Sequence, residues 1–114
     1  MPTKKNPLGL NSLQLKTLTL LQELARHPES STRNEANGEV LLTLLPQPHG
    51  DHFHIGKRVA RARDATGLGN AAVWTVLERR GLARSAYPIG ITLTEAGLAY
   101  ETGLRDEILF GSDH

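Results

Sequence analysis

Leu13, Leu20, Leu21 and Leu24, joined by Leu10 and Ala25, fall on one stripe at the spacing of an α-helix. Leu15 and Leu18 widen that stripe, which predicts a helix set well inside the core. Asn11 stands at the N-cap position with Gln14 three residues on, the reciprocal spacing of a capping box. Pro28 disfavours helical backbone at His27, so this helix is expected to stop near Arg26. The polar stretch 27–38 then reads as a loop.

The apolar run 40–45 lies between Asn37-Gly38 and Pro46. Its length and turn signals favour a buried strand, although periodicity alone does not separate strand from helix. Turn residues fill 47–51, and Phe53 and Ile55 then alternate with His52 and His54. Residues 40–55 are therefore expected to form a hairpin with a loop of about five residues. After Gly56 the period changes. Val59, Ala60, Ala62 and Ala65 sit among arginines and predict a short helix ending at Gly67. Leu68-Gly69-Asn70 is a turn, with Asn70 the N-cap of a helix over 71–80. Val73, Val76 and Leu77 share its inward face, and Gly81 ends it. Two short strands follow, 82–87 and 89–93, and Thr94 caps a last helix through Leu109 that Gly97 and Gly103 weaken. The expected organisation is a flexible arm over 1–9, one domain over 10–110 and a frayed tail over 111–114.

Composition narrows the class. A chain of 114 residues fits one domain, and nineteen leucines supply a core without metal or disulfide staples. With no cysteine there is no disulfide framework, zinc-thiolate site or thiol nucleophile. No apolar run approaches the roughly 20 residues of a membrane helix, and no apolar signal core follows the basic start. A soluble cytoplasmic protein without a membrane partner is the expectation.

The net charge of +1 conceals an uneven distribution. Between Lys57 and Arg84 stand Lys57, Arg58, Arg61, Arg63, Arg79, Arg80 and Arg84 against only Asp64 and Glu78, an excess of +5. The remainder of the chain carries −4. A basic middle in a neutral chain points to a polyanionic partner, against the plainer reading of a solvated surface.

Helix, hairpin, short helix, tight turn, second helix, two strands, helix is the element order of a winged helix-turn-helix. The segment Ala65-Thr66-Gly67-Leu68-Gly69-Asn70-Ala71-Ala72-Val73-Trp74 resembles the helix-turn-helix core of bacterial winged-helix regulators. Leu77-Glu78-Arg79-Arg80-Gly81-Leu82-Ala83 is similar to their recognition-helix ending. Leu93-Thr94-Glu95-Ala96-Gly97 resembles the helix start after the wing in MarR-like and related regulators. The resemblance spans roughly 57–100 and is to the superfamily, not to one regulator family. It implies an α+β fold, a winged helix-turn-helix with an additional β-hairpin before the helix pair. It also implies a DNA-binding transcriptional regulator reading double-stranded DNA with helix 70–80, with 82–93 as wing.

Helix facing then distributes the roles. Asn70 and Thr75 are candidates for base-edge or phosphate hydrogen bonds, and Ala71 and Trp74 for thymine methyls. Core packing is the plainer reading of Trp74. Lys57, Arg58, Arg61, Arg63, Arg79, Arg80 and Arg84 are candidates for phosphates. A homodimer on a pseudo-palindromic site is expected. Its candidate seams are the first helix and the C-terminal Leu98, Leu104, Ile108, Leu109 and Phe110, for which closing the monomer core is the plainer reading. His49, Asp51, His52 and His54 have metal-ligand chemistry, but spacing alone makes a solvated hairpin face the plainer reading, and no metal is assigned. No phosphate loop, nucleophile elbow or placed acid pair appears, so neither catalysis nor a cofactor is expected. The alternative function is a winged-helix protein-interaction module that binds no DNA, for which Trp74 and Tyr87 offer aromatic surface.

Overall fold

The computed structural model describes residues 6–43 and 45–111. Asn11 opens α1 (Ser12–Leu24) through the expected capping box: its side chain accepts from the Gln14 amide at 2.8 Å, and Gln14 accepts from the Asn11 amide at 2.9 Å. Along α1, Leu18, Leu20, Leu21 and Leu24 are buried, and so are Thr17, Thr19 and Glu23. The helix is enclosed on more than one face. It packs against nearly every later helical element: two 3-10 turns (Ala62–Asp64 and Thr66–Gly69), α2 (Ala71–Arg79), α3 (Glu95–Ala99) and α4 (Arg105–Ile108).

The strands are β1 (Thr32–Arg33), β2 (Val40–Leu42), β3 (Pro48–His49), β4 (His52–Ile55), β5 (Arg58–Arg61), β6 (Ala83–Ala86), β7 (Gly90–Leu93) and β8 (Phe110–Gly111). Among the described residues they form two antiparallel sheets, ordered β1-β2-β7-β6 and β3-β4-β5-β8. Val40 pairs with Leu93 and Leu42 with Ile91, so the first sheet turns these four side chains into the core. In the second sheet Ile55 and Ala60 are buried with Phe53 packed beside them, while His52, His54 and Arg61 occupy the other face. This is an α+β fold with helices and two antiparallel sheets.

Several expectations need correction. The hairpin over 40–55 does not form as one unit. Its first half, β2, pairs with β7 in one sheet, and its second half, β4, pairs with β3 and β5 in the other. The helix expected from Val59 to Gly67 is strand β5 followed by the 3-10 turns. Gly56, at φ +63°, makes a two-residue Gly-Lys turn that sets Ile55 opposite Arg58. Cross-strand pairing on both edges then outweighs the helix propensity of alanine and arginine. The last helix is broken into α3 and α4, with Gly103 at φ +74° between them. Thr94 does cap α3, its hydroxyl accepting from the Gly97 amide at 3.1 Å. The loop over 27–38 contains the short strand β1. Of the arm expected over 1–9, residues 1–5 lie outside the described residues. Asn6 and Leu8 are fastened: the Tyr100 hydroxyl donates to Asn6 Oδ1 at 2.6 Å and accepts from the Leu8 amide at 3.0 Å. Gly111 of the expected tail pairs in β8, and 112–114 lie outside the described residues.

Ion pairs hold the outer pieces to α1. The Glu23 carboxylate is 4% exposed. It accepts from Arg105 Nε at 3.0 Å and Nη2 at 2.8 Å, with Arg26 at 3.6 Å and His27 Nε2 at 3.4 Å. A buried carboxylate needs such donors, and Arg105 thereby ties α4 to α1. Lys16 reaches Asp64 at 2.9 Å and ties the first 3-10 turn to the same helix.

Contact between α1 and the second 3-10 turn is close at Gly67, where a Cβ would lie 1.8 Å from Thr17 Oγ1. Nothing lies within 4 Å of a Cβ at Gly69. Gly67→Ala is therefore expected to destabilise the protein by about 1–3 kcal/mol through overpacking. Gly69→Ala should remain near parental stability. Urea unfolding of the two variants side by side measures the difference.

Candidate nucleic-acid interface

Asn70 starts α2. Its side-chain oxygen accepts from the amides of Ala72 at 2.9 Å and Val73 at 3.4 Å, satisfying donors that the first turn leaves open. Capping thus engages the Asn70 side-chain oxygen. At the other end Gly81, at φ +78°, lets the chain turn into β6.

Val73, Trp74 and Leu77 form the buried face of α2, and Val76 is only half-buried. Of the two expectations for Trp74, core packing holds and contact with thymine does not. Its side chain is 1% exposed, and its indole Nε1–H is buried without an acceptor among the described residues. Val73 and Leu77 face inward as expected, and Trp74, the largest apolar side chain, joins them in the core where Val76 was expected. Tyr87, at the end of the β6–β7 hairpin, meets Trp74 edge-on with ring centroids 4.7 Å apart. The Tyr87 hydroxyl donates to the Gly69 carbonyl at 2.8 Å. Together these contacts pin the hairpin tip to the N-terminal end of α2. Around them lies a cleft of about 360 Å³, walled by Pro46, Pro48, Phe53, Leu68 and Pro88.

On the opposite side of α2, Ala71, Ala72, Thr75, Glu78 and Arg79 are exposed. Ala71, Thr75 and Arg79 follow one another at four-residue spacing and form a single outward row. The Thr75 hydroxyl donates to the Ala71 carbonyl at 3.1 Å, which leaves its oxygen open as an acceptor. Arg80, the C-cap residue, is also exposed.

The remaining basic residues do not join this row as one cluster. Arg84, on β6, forms an ion pair with Glu39. Lys57, Arg58 and Arg61 belong to the second sheet and its turn, and Arg63 is exposed on the first 3-10 turn. Arg58 donates to the Leu109 carbonyl at 3.5 Å, and the Arg61 guanidinium lies over the Phe110 ring, 4.8 Å from its centroid. The excess of positive charge between 57 and 84 is thus divided among the end of α2, the first 3-10 turn and the two sheets. Sequence reasoning missed the contact of Tyr87 with Gly69 and Trp74, because nothing local in the chain signals that the hairpin folds back on α2.

The described residues include no helix long and apolar enough to cross a membrane. Comparison with protein-family models, curated proteins and solved structures finds no match to this chain.

Because its Oδ1 caps two amides, Asn70→Ala is expected to cost about 1 kcal/mol of stability, within the 0.5–2 range of N-cap losses. Chemical denaturation checks the size. Asn70→Asp should restore most of the loss, since a carboxylate caps as well and suits the positive end of the helix.

Proposed function

We propose that this protein is a winged-helix DNA-binding protein of the transcription-regulator kind, presenting α2 to the major groove with the β6–β7 hairpin as its wing. The observation that carries the reading is the assembly around α2. A strand from before the helix, β2, closes against β7, and β7 pairs with β6, which leaves the helix directly. The hairpin and α2 are therefore fastened at both ends, through Gly81 and through Tyr87, and α1 braces α2 from behind. In place of a first α-helix of the pair, the Thr66–Gly69 turn packs between α1 and α2.

Roles follow from exposure. Arg79 and Arg80 are the phosphate contacts, and Ala71 and Thr75 face the base edges. Trp74 positions α2 from the core, and Asn70 caps it. Arg84 would have to exchange Glu39 for a phosphate, and Lys57, Arg58, Arg61 and Arg63 are assigned to outlying phosphates. The location that accompanies this function is the cytoplasm. Pairing of two copies on one site stays in the proposal, but not through Leu18, Leu20, Leu21 and Leu24 of α1, which are inside the monomer. Ile108 and Leu109 are buried as well, leaving Phe110 as the exposed member of that seam.

A protein-interaction module is the second reading, and Ile89 favours it. This residue at the hairpin tip is 75% exposed, beside the half-exposed Tyr87. Salt separates the two readings, since phosphate contacts release counterions and apolar contacts do not. Arg79→Ala and Arg80→Ala should each weaken binding to every duplex and flatten the logarithmic salt slope by about one unit. Thr75→Ala should act unevenly between sequences, by about 1–3 kcal/mol at the affected base pair. Fluorescence anisotropy with duplex DNA at several salt concentrations measures both. Arginine variants that bind like the parent at about 50 mM salt would overturn the DNA reading in favour of the protein-interaction one.

A further inference from the structure

We propose that His49, His52 and His54 form a binding site for a divalent transition-metal ion, zinc first, on the outer face of the β3–β4 hairpin. The three imidazoles each offer a nitrogen, and these nitrogens lie within 4.8 Å of one another. Ring centroids are 5.2 Å apart for His49–His52, 5.2 Å for His49–His54 and 4.9 Å for His52–His54.

Backbone geometry produces this gathering. His49 stands directly opposite His52 in the β3–β4 register, and His54 is two residues further along the same face of β4. The register is set by the two-residue turn Gly50-Asp51, whose positive φ of +71° falls at its first position. That is the requirement of a type II′ hairpin turn, and glycine meets it at no steric cost. Since β4 is paired with β3 on one edge and β5 on the other, two of the three ligands project from a strand fixed on both sides.

Distances fit the ion. Two nitrogens bound to zinc at about 2.0–2.1 Å in tetrahedral geometry are separated by roughly 3.3–3.4 Å. His54 Nε2 and His49 Nδ1 are 3.2 Å apart, so one edge of the tetrahedron is already close to its bound length. In the metal-free protein the same contact is an imidazole–imidazole hydrogen bond, and the ion takes the place of the shared proton. The third nitrogen has to move inward by about an ångström, which a rotation about χ2 supplies.

The surroundings support a cation in two ways. Asp51 Oδ1 lies 3.4 Å from His52 Nδ1, an arrangement that directs Nε2 to the metal and makes it a better donor. Arg61, opposite His52 on β5, is drawn toward Phe110 on β8 and therefore away from β3. His49 and His54 are exposed, which leaves a route in and an open fourth position for water or a partner's ligand. Imidazole sets accept zinc, nickel and copper, and the order of affinity places copper above zinc at any such site. The site is on the second sheet and does not depend on how α2 is used.

The test is isothermal titration of Zn²⁺ into the full chain near neutral pH. Expected are one ion per chain and a dissociation constant on the order of micromolar or tighter. His49→Ala and His54→Ala, both at exposed positions, should each raise that constant at least about tenfold, and Asp51→Asn by about tenfold. Mg²⁺ should neither bind nor compete, because it prefers oxygen ligands. Co²⁺ should give the visible band of a four-coordinate ion and shift the ring protons of His49, His52 and His54 while leaving those of His27 in place. Zinc should raise the Tm of the parent, and fail to raise that of the His49→Ala/His54→Ala double variant. Absence of saturable binding, or affinity retained in the double variant while circular dichroism shows it folded, would overturn the proposal. So would cobalt shifts centred on other residues.

Discussion

Burial of α1 on more than one face is the constraint from which the other contacts follow. A helix enclosed in this way buries polar side chains along with its leucines, and each of them has to find a partner. Thr17 donates to the Leu13 carbonyl, and Thr19 donates to the Leu15 carbonyl while its oxygen accepts from the Thr102 hydroxyl. Gln22 donates to the carbonyls of Gly97 and Tyr100, and Glu23 takes Arg105. Three of these four side chains therefore fasten the segment that follows β7. That segment holds helices of five and four residues, far below the length at which a helix persists alone in water. Polar bonds to α1 keep them in place where propensity does not.

The same helix explains how α2 is presented. Close approach at Gly67 seats the second 3-10 turn on Thr17, and Asn70 begins α2 directly after that turn. Trp74 then fills the space beneath, with Tyr87 against its edge. The outward row of Ala71, Thr75 and Arg79 is fixed because its opposite face is consumed by Val73, Trp74 and Leu77. Orientation of the exposed face is thus a by-product of core packing.

Elements whose signals are local were legible in the chain. The capping box at Asn11 and Gln14, the cap at Asn70, the glycine stop at Gly81 and the hairpin around Pro88 all depend on residues within a few positions. What failed was non-local. Val59-Ala60-Arg61 carries helix formers, and only the partnership with β4 and β8 makes it a strand. Its turn was nonetheless written in the chain, for Gly56-Lys57 and Gly50-Asp51 are both glycine-first pairs suited to tight hairpins. In the candidate interface, exposure of Thr75 and Arg79 was legible from helix facing. Burial of Trp74 was legible as well, since tryptophan usually buries most of its area, whereas the half-burial of Val76 was not. Nor could spacing show that His49 and His54 would meet, since that depends on a register set by one glycine φ.

Charge along a chain and charge available on a surface are different quantities here. The acidic remainder of the sequence is not a diffuse counterweight to the basic middle. Glu39 is held by Arg84, and Glu23 by Arg105, Arg26 and His27, while Asp64 of the basic middle is held by Lys16. Within the basic middle, Arg84 is paired, Arg58 is turned to a carbonyl and Arg61 to a ring. Arg79 and Arg80 are the exposed arginines that remain near the outward row of α2. On the DNA-binding proposal, two phosphate contacts from one helix give modest affinity, because each contributes about one counterion to the salt dependence. That proposal needs a second copy, or the further basic residues of the second sheet, to add contacts before binding becomes tight, and it leaves specificity to Thr75 and Ala71.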